Sequence, residues 1–335
     1  MSVTESRTAD DFLTEAEAYR RELFAHCYRM MGSTHDAEDL VQETYLRAWR
    51  SFHGFEGRAS MRTWLHRIAT NACLSALEGR SRRPLPTGLG APPTEPDARL
   101  VEQTDVPWLE PVPDSLLEDP HDPASIVAAR AGVRLALVAA LQHLPPRQRA
   151  VLILREVLRW SAAEVAEALQ TSTASVNSAL QRARAQLERA NLSEADIVEP
   201  TDSRQRELLG RYARAMERKD IAGIVELCAE DALWEMPPFV GWYQGAEAIG
   251  RLIDVNCPAG PDELRMVPTG ANGQPAFGMY ILTEENVFLP FQLQVLELRD
   301  GAVAHVTAFF DLALFPLFGL PDAVTEDVAS PAPAP

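Results

Sequence analysis

The stretch SAAEVAEALQTSTASVNSALQRARAQL, residues 161–187, decides the fold of its part of the chain because it contains two helices separated by a tight turn. Ser161, followed three residues later by Glu164, is a capping box that marks the start of a short first helix. Residues 169–172 then form a turn, and Thr173 is placed to cap a second, longer helix. This order predicts a helix-turn-helix.

The second helix has one apolar face and one polar face. Four apolar residues recur at helical spacing and are predicted to pack on the preceding helix: Val176, Leu180, Ala183 and Leu187. On the opposite face, amide, hydroxyl and guanidinium groups can hydrogen-bond base edges and phosphates in a DNA major groove. The candidate DNA-contacting residues are Ser175, Asn177, Ser178, Gln181, Arg182 and Arg184. A solvent-exposed face of a bundle helix would look similar, so the capped turn before the helix is what favours DNA.

The charge of the chain is unevenly distributed. Its formal net charge is -17 at pH 7, yet arginines concentrate in residues 47–83 and again in residues 128–190. Acidic residues concentrate in residues 84–127 and after residue 201. Because salt screens exposed charges beyond about 8 to 10 Å, local basic surfaces can bind DNA although the whole chain is acidic.

Further helices are predicted on the N-terminal side of the helix-turn-helix. HDAEDLVQETYLRAWRSF, residues 35–52, and MRTWLHRIATNACLSALEGR, residues 61–80, carry apolar residues at helical spacing and are joined by a short loop. Prolines and glycines are dense in residues 84–123, which predicts an irregular linker. A long amphipathic helix is predicted over residues 124–144, followed by a break at LPPRQ and another helix.

The pattern changes beyond residue 200. Two helices, near residues 204–219 and 221–229, precede several strand-like runs. The clearest run is FQLQVLELRDGAVAHVTAFF, in which two alternating strands are joined by Asp300 and Gly301, a strong hairpin turn. These runs predict an α+β domain over residues 203–321, followed by a disordered tail over residues 322–335.

Composition excludes several classes of protein. No apolar segment reaches the roughly 20 residues that a membrane helix needs, and the first residues carry no signal-peptide pattern. We therefore expect a cytoplasmic protein without membrane contact. Cys27, Cys73, Cys228 and Cys257 are far apart and lack a nearby histidine at metal-ligand spacing. We expect them to be reduced and mostly buried, and we expect no metal and no cofactor.

The two helical blocks resemble a known family. DAEDLVQETYLRAWRSF followed by MRTWLHRIATNACL resembles region 2 of the extracytoplasmic-function (ECF, group IV) sigma factors of the sigma-70 superfamily. LPPRQRAVLILREVLRWSAAEVAEALQTSTASVNSALQRARAQL resembles their region 4. The resemblance implies an all-α region 2 over residues 12–83, a linker over 84–123 and an all-α region 4 over 124–192. The implied partners are core RNA polymerase, through its β′ clamp helices and β subunit, and promoter DNA, with recognition of the -35 and -10 elements and melting of the latter.

The resemblance also implies roles for particular residues. Those of the polymerase-docking helix are Asp36, Asp39, Gln42 and Glu43. Those of the loop that captures a flipped -10 base are Phe52, His53 and Phe55. An aromatic pocket suits that task because unstacking a base costs a few kcal/mol. The next helix would direct Arg62, Arg67 and Asn71 to the -10 strand, with Trp64 packed inside. The six residues of the helix-turn-helix would contact the -35 element, Arg184 through phosphate.

Two interpretations remain open for a pair of arginines in region 4 and for the acidic linker. Arg147 and Arg149 are either clamps on the DNA backbone or solvated arginines. The acidic linker is either a soluble tether or a segment that contacts the RNA exit path of polymerase, as the resemblance implies. An exposed tryptophan costs solubility in a pure tether, so Trp108 favours a specific contact.

The C-terminal part resembles the SnoaL-like fold of nuclear-transport-factor type, in which a curved sheet wraps helices into a cone-shaped barrel with one pocket. The segments that carry the resemblance are RYARAMERKDIAGIVELCAEDALWEMPPFVGWYQGAEAIGRLI and AVAHVTAFFDLALFPLFGLP. The candidate pocket residues are Trp234, Glu235, Trp242, His305 and Asp311. That fold hosts enzymes and inert binding modules, and a lone histidine on a strand is more often structural than catalytic. We expect regulation of the sigma regions by intramolecular contact or by a small-molecule ligand, not an enzyme.

One other function is compatible with this organisation. A helix-turn-helix followed by a ligand-binding or enzymatic domain is also the plan of a one-component transcription regulator that acts without polymerase. The sequence resembling region 2 favours the sigma factor instead.

Overall fold

The computed structural model describes residues 12, 15–55, 57, 59–117, 133–189 and 203–325. The chain forms two compact units. The first comprises Met1–Arg83 and Leu109–Ser193, and the second comprises Pro84–Trp108 and Glu194–Pro335. The start of the predicted helix over residues 124–144 and most of the predicted tail lie outside the described residues. None of the helices in the described ranges has the length and apolar content needed to cross a membrane.

The first unit begins with three helices, α1 (Arg20–Met31), α2 (Thr34–Ser51) and α3 (Met61–Ala76). Gly32 ends α1 in the left-handed conformation, with φ 69°. The side-chain oxygens of Ser33 and Ser60 accept backbone N–H groups at the starts of α2 and α3. Both predicted helices are therefore confirmed, although α3 ends before residue 80.

The three helices pack around an apolar core that also contains two histidines. Fully buried members of this core are Leu23, Cys27, Tyr28, Ala48, Leu65 and Ala69. The rings of His26 and His66 meet edge to face, with centroids 5.5 Å apart. Burial lowers the pKa of His66 to about 4 and lowers the pKa of His26 as well. Both rings are therefore neutral in the folded protein at neutral pH.

The second part of this unit contains α4 (Leu135–Gln142), α5 (Pro146–Leu152) with a π-helical extension (Ile153–Val157), α6 (Ala162–Ala168) and α7 (Thr173–Arg189). The predicted capping box is present: Ser161 Oγ accepts from Glu164 N, and the Glu164 carboxylate accepts from Ser161 N. The predicted cap of α7 is wrong by one residue. Ser172 Oγ accepts from Ser175 N at 3.2 Å, because Thr173 is already helical.

The second unit is an α+β domain, as predicted. Its elements are α8 (Ser203–Glu217), α9 (Ile221–Leu227), β1 (Cys228–Glu235), β2 (Trp242–Gln244), α10 (Ala246–Asn256), β3 (Leu264–Ala271), β4 (Gln274–Leu282), β5 (Phe288–Arg299), β6 (Ala302–Phe309) and α11 (Leu314–Leu317). The six strands form one sheet in the order β2-β1-β6-β5-β4-β3. Only β1 and β6 pair in parallel. Asp300 and Gly301 both have positive φ and form the predicted hairpin turn.

The two faces of this sheet are covered by different parts of the chain. Trp234, Val306 and Leu296 belong to one core with the helices α8, α9 and α10. On the other face, a Cβ on Gly278 would lie 2.7 Å from Leu320 Cδ1, so the segment after β6 packs directly on the strand. Val324 exchanges two backbone hydrogen bonds with Phe288. Order therefore extends past residue 322, where the predicted tail begins.

Part of the predicted linker is an ordered segment of the second unit. We call residues 85–103 the strap. The N–H of Thr94 donates to Trp242 O at 2.7 Å, that of Val240 to Val101 O at 3.0 Å, and that of Gln103 to Pro238 O at 2.9 Å. The strap therefore continues the backbone pairing at the β2 edge of the sheet, an edge that would otherwise expose unpaired groups.

Candidate functional site

The polar face of α7 is open to solvent. All six predicted DNA-contacting residues are exposed, whereas Val176, Leu180 and Ala183 on the opposite face are buried. Arg184 makes an ion pair with Glu156, with Nη2 and Oε1 2.6 Å apart. The helix thus presents short hydroxyl and amide side chains near its start and guanidinium groups further along, the arrangement needed for base edges and phosphates.

The four predicted docking residues of α2 differ in their exposure and in their ion pairs. Asp39 and Gln42 are exposed, and Glu43 pairs with Arg47 at 2.7 Å. Asp36 is largely buried and accepts from Arg80 and Arg83 at 3.1 and 2.9 Å. Burial by itself raises the pKa of Asp36, but the bonds from Arg83 and Arg80 outweigh it and lower the pKa below its ordinary value.

Sequence reasoning missed two apolar residues on the same helix. Leu46 is 50% exposed and Trp49 is 51% exposed, although both are large and apolar. They lie four and seven residues after Gln42, so they continue its face of α2. The signal was available in the sequence, because both residues are out of register with the buried positions Leu40, Thr44 and Ala48.

The loop after α2 holds the predicted aromatic residues differently from expectation. Phe52 is in the core, with its ring centroid 5.0 Å from that of Phe12, because a short 3-10 turn continues α2 and directs the ring inward. Phe55 is half-buried and stacks on Trp64 at 4.7 Å. The side chain of His53 lies outside the described part of the chain. Phe52 is therefore not available to stack on a base, and Phe55 retains an accessible surface.

The three predicted -10 residues of α3 lie at the surface. Arg62 pairs with Glu22 at 2.5 Å. Arg67 lies 3.6 Å from Glu167, which belongs to α6 of the helix-turn-helix. Asn71 is exposed, and its side-chain amide donates to Arg67 O. Two of the three side chains are thus paired with glutamates.

The linker returns to the first unit at the start of α2. Glu110 accepts from Thr34 N at 3.0 Å and from Ser33 Oγ at 2.9 Å, and Arg83 donates to its other oxygen at 3.1 Å. A carboxylate at this position is favourable because the N-terminus of a helix carries partial positive charge. Leu109 beside it is buried. No sequence pattern predicted this position for Glu110.

The five predicted pocket residues do not form one group. Trp234 and Glu235 are neighbours on β1, so their side chains point to opposite faces of the sheet, and Trp234 joins the core with the helices. Trp242 donates from Nε1 to Ala91 O of the strap. Asp311 is exposed and accepts from Ala313 N within a turn. Only Glu235 and His305 are brought together.

Glu235 is fully buried, and it pairs with the partly buried His305 next to the strap. Glu235 Oε1 lies 2.8 Å from His305 Nε2, and Thr87 N donates to the other oxygen, Oε2, at 2.8 Å. Burial lowers the pKa of His305, but the carboxylates of Glu235 and Glu297 outweigh that effect and raise the pKa above its ordinary value. Glu235 thus holds Thr87 of the strap through one carboxylate oxygen and faces His305 with the other.

Two further contacts fix the middle of the strap. The carboxylate of Asp97 accepts from the guanidinium of Arg251 at 2.6 to 3.0 Å. Asn256 Nδ2 donates to Pro96 O at 3.0 Å. No group of three or more histidine, cysteine, aspartate or glutamate residues within the described ranges is arranged to hold a metal ion.

Family models match both helical blocks. Residues 16–83 match Sigma-70 region 2, and residues 134–187 match Sigma-70 region 4.

Relatives extend the similarity over most of the chain. The ECF RNA polymerase sigma factor SigG of Mycobacterium tuberculosis is 59% identical over 316 residues, covering 94% of this chain and 85% of the relative. The ECF sigma factor SigJ of the same organism is 31% identical over 248 residues, covering 72% of each chain. The crystal structure of Mycobacterium tuberculosis SigJ matches with a TM-score of 0.62 at 24% identity, covering 92% of this chain and 100% of that one.

Proposed function

We propose that this chain, which belongs to the ECF family of RNA polymerase sigma factors, binds core RNA polymerase and directs it to promoters. The exposed polar face of α7 carries the proposal, because it displays six groups able to contact the -35 element while the apolar face packs inside. The protein would act in the cytoplasm on promoter DNA and core enzyme.

The polymerase-binding surface is the exposed face of α2. Asp39, Gln42 and Glu43 supply polar groups for the β′ clamp helices, and Leu46 with Trp49 supplies apolar area. An exposed tryptophan beside polar groups is the composition of an interface centre rather than of ordinary protein surface. Asp36 belongs to this set but first has to leave Arg80 and Arg83.

The -10 element would be bound by α3 and the loop before it. Phe55 offers a stacking surface, and Arg62, Arg67 and Asn71 offer charge and hydrogen bonds. These groups are few for a chain of net charge -17. The core enzyme therefore supplies most of the affinity, and α3 and α7 supply promoter choice.

Co-elution with core RNA polymerase and in vitro transcription test this function. We expect the full chain to co-elute with core enzyme and to initiate at a specific promoter. The double variant Gln181→Ala, Arg182→Ala is the matched control, and it should still co-elute but lose the response to the -35 sequence. A chain that neither co-elutes nor initiates is not a sigma factor.

The C-terminal domain is proposed to regulate this activity by holding the linker. The strap makes three backbone hydrogen bonds with the domain, the Asp97 ion pair and the bond to buried Glu235. The resemblance implies that the same linker would lie in the RNA exit path of polymerase. The domain and polymerase would then compete for one segment of chain.

Proline substitutions test whether the strap regulates. Thr94→Pro with Gln103→Pro removes two N–H donors from the strap, while Thr94→Ala with Gln103→Ala keeps both donors and serves as the control. Hydrogen exchange should rise along residues 85–103 in the proline variant, and the initiation rate should change with it. A released strap with an unchanged initiation rate would contradict this regulation.

A further inference from the structure

One helix of the acidic C-terminal domain is strongly basic. Residues 203–219, which comprise α8 and the turn after it, contain six basic residues and two acidic ones. Residues 220–335 contain three basic residues and seventeen acidic ones. Most of the positive charge of this domain is therefore placed on α8, which is the first helix that the structure describes after region 4.

Four arginines line one exposed side of this helix. At 3.6 residues per turn, their positions fall within about 80° around the helix axis and extend over about 21 Å along it. All four side chains are exposed, whereas the apolar side of α8 is buried through Leu208, Tyr212 and Met216. The fourth arginine lies in the turn that continues the helix, since its N–H donates to Arg214 O at 3.1 Å. We call these four residues the basic stripe: Arg204, Arg211, Arg214 and Arg218.

Neighbouring acidic groups leave an excess of positive charge on the basic stripe. Arg211 Nη2 lies 2.9 Å from Glu226 Oε1, but the two side chains are 47% and 72% exposed, and such a pair contributes at most about 1 kcal/mol. Glu207 is exposed on the same side of the helix. The carboxylate of Glu217 is directed elsewhere, because it accepts from Met266 N of β3 at 3.0 Å.

A row of exposed guanidinium groups is complementary to the phosphates of a nucleic acid. Each guanidinium can donate two parallel hydrogen bonds to phosphate oxygens. The length of the stripe, about 21 Å, corresponds to about six base pairs of duplex DNA at 3.4 Å per base pair. Contacts to phosphates add affinity and fix the position of the protein, but they do not read the base sequence.

The chain connects the basic stripe to the helix proposed to bind the -35 element. α7 ends at Arg189, and α8 begins at Ser203. Even a fully extended chain over residues 190–202 would span at most about 50 Å. With α7 on the -35 element, α8 can therefore begin no further than about 15 base pairs of duplex away from the end of α7. Tethering raises the effective concentration of the stripe near this DNA, so weak contacts contribute to affinity.

We propose that the basic stripe binds the phosphate backbone of promoter DNA upstream of the -35 element. The upstream side is the free side, because the DNA in the other direction leads to the -10 element, which region 2 and the core enzyme bind under the proposed function. The inference rests on the proposed function for the position of α7. It gives the acidic C-terminal domain a direct contact with the promoter in addition to its hold on the strap.

Holoenzyme formed from the full chain and core RNA polymerase tests the contact with two promoter duplexes. One duplex ends directly upstream of the -35 element, and the other extends about 20 base pairs further, beyond the limit set by the connecting residues. Wild type should bind the long duplex about tenfold more tightly than the short one, with a salt slope steeper by about 3 to 4. A variant without the stripe should bind both duplexes equally: Arg204→Gln, Arg211→Gln, Arg214→Gln and Arg218→Gln combined.

Single substitutions on the same helix supply the matched control. Arg214→Gln should lower the salt slope on the long duplex by about 0.9. Arg206→Gln should leave this slope unchanged, because Arg206 is exposed about 120° around the helix from the middle of the stripe. Glutamine and arginine have similar helix propensities, so α8 is preserved in every variant. An unchanged melting temperature of the full chain confirms that the variants are folded.

Three results would overturn the inference. The first is equal affinity of wild type for the two duplexes, and the second is an equal change of salt slope in Arg214→Gln and Arg206→Gln. The third is the same loss of affinity on both duplexes when the stripe is removed, which would place the contact on core enzyme. A wild-type chain that does not bind core enzyme would contradict the proposed function instead. Titration of the same variants with the long duplex alone would then test the stripe.

Discussion

The helical unit and the C-terminal domain hold their polar groups in opposite ways. In the first, the candidate residues Gln42, Gln181 and Arg182 lie on exposed helix faces. In the second, Glu235 is buried, with one carboxylate oxygen 2.8 Å from His305 and the other accepting from Thr87 N of the strap. The polar groups of the helical unit are therefore open to outside partners, whereas Glu235 of the C-terminal domain binds a segment of its own chain.

The largest expected effect is on the affinity for core polymerase, and it is tested by truncating one exposed apolar residue in each unit. Trp49 and Leu312 are 51% and 52% exposed. Trp49→Ala should weaken binding to core polymerase by about 30-fold, because truncating a central interface tryptophan costs about 2 kcal/mol or more. Leu312→Ala should leave binding unchanged. Titration of labelled core enzyme measures the affinity of both variants. Equal losses of affinity would contradict the assignment of polymerase binding to the helical unit.

A smaller effect is expected within α7. Gln181→Ala and Arg182→Ala should each cost about 1 to 3 kcal/mol at promoters with the preferred -35 sequence and little at others, since base contacts carry specificity. Arg184→Ala should weaken all promoters alike and lower the salt slope by about one. Initiation at matched and mutated promoters across a salt series measures this. Uniform losses for all three variants would remove the assignment of base contacts.

The smallest effect is on stability, with opposite sign in the two units. The pKa of His66 is lowered to about 4, so the unfolded state binds the proton first and region 2 loses stability as the pH falls from about 6.5 toward 4. The pKa of His305 is raised. Its stabilising contribution is therefore complete below about pH 6.5 and is lost as the pH rises through the raised value.

Hydrogen exchange across a pH series separates these two contributions because it reports each region of the full chain. His66→Gln should flatten the acid loss in α1 to α3, and His305→Gln should flatten the loss at higher pH in β1 and β6. Both variants remove a group that titrates and keep a polar side chain. The same sign of pH dependence in both regions would contradict the assignments.

Local patterns predicted much of the helical unit and one hairpin turn of the C-terminal domain. The capping box at Ser161, the exposed face of α7 and the hairpin turn at Asp300 depend on residues close together in sequence, so periodicity and turn chemistry were enough. Where a local pattern left a one-residue ambiguity, as at the cap of α7, the prediction was off by one residue.

Residues far apart in sequence account for the predictions that failed. Proline density correctly predicted an irregular linker, but it gave no sign that the backbone of Thr94 would pair with Trp242. Side chains alternate along β1, so Trp234 and Glu235 point to opposite faces of the sheet. The sequence did not show which of these faces the helices cover. Nor did it show that the ring of Phe52 turns into the core.

The resemblance of the two helical blocks to a known family identified the class of the protein, and short-range periodicity and capping predicted the helices and the exposed polar face of α7. Only the tertiary structure decided that Arg149 is buried at the end of α1 and that Thr87 reaches Glu235. The physical reason is that a buried cation or carboxylate has to find its partner wherever the fold brings one, and the partners here lie more than a hundred residues away along the chain.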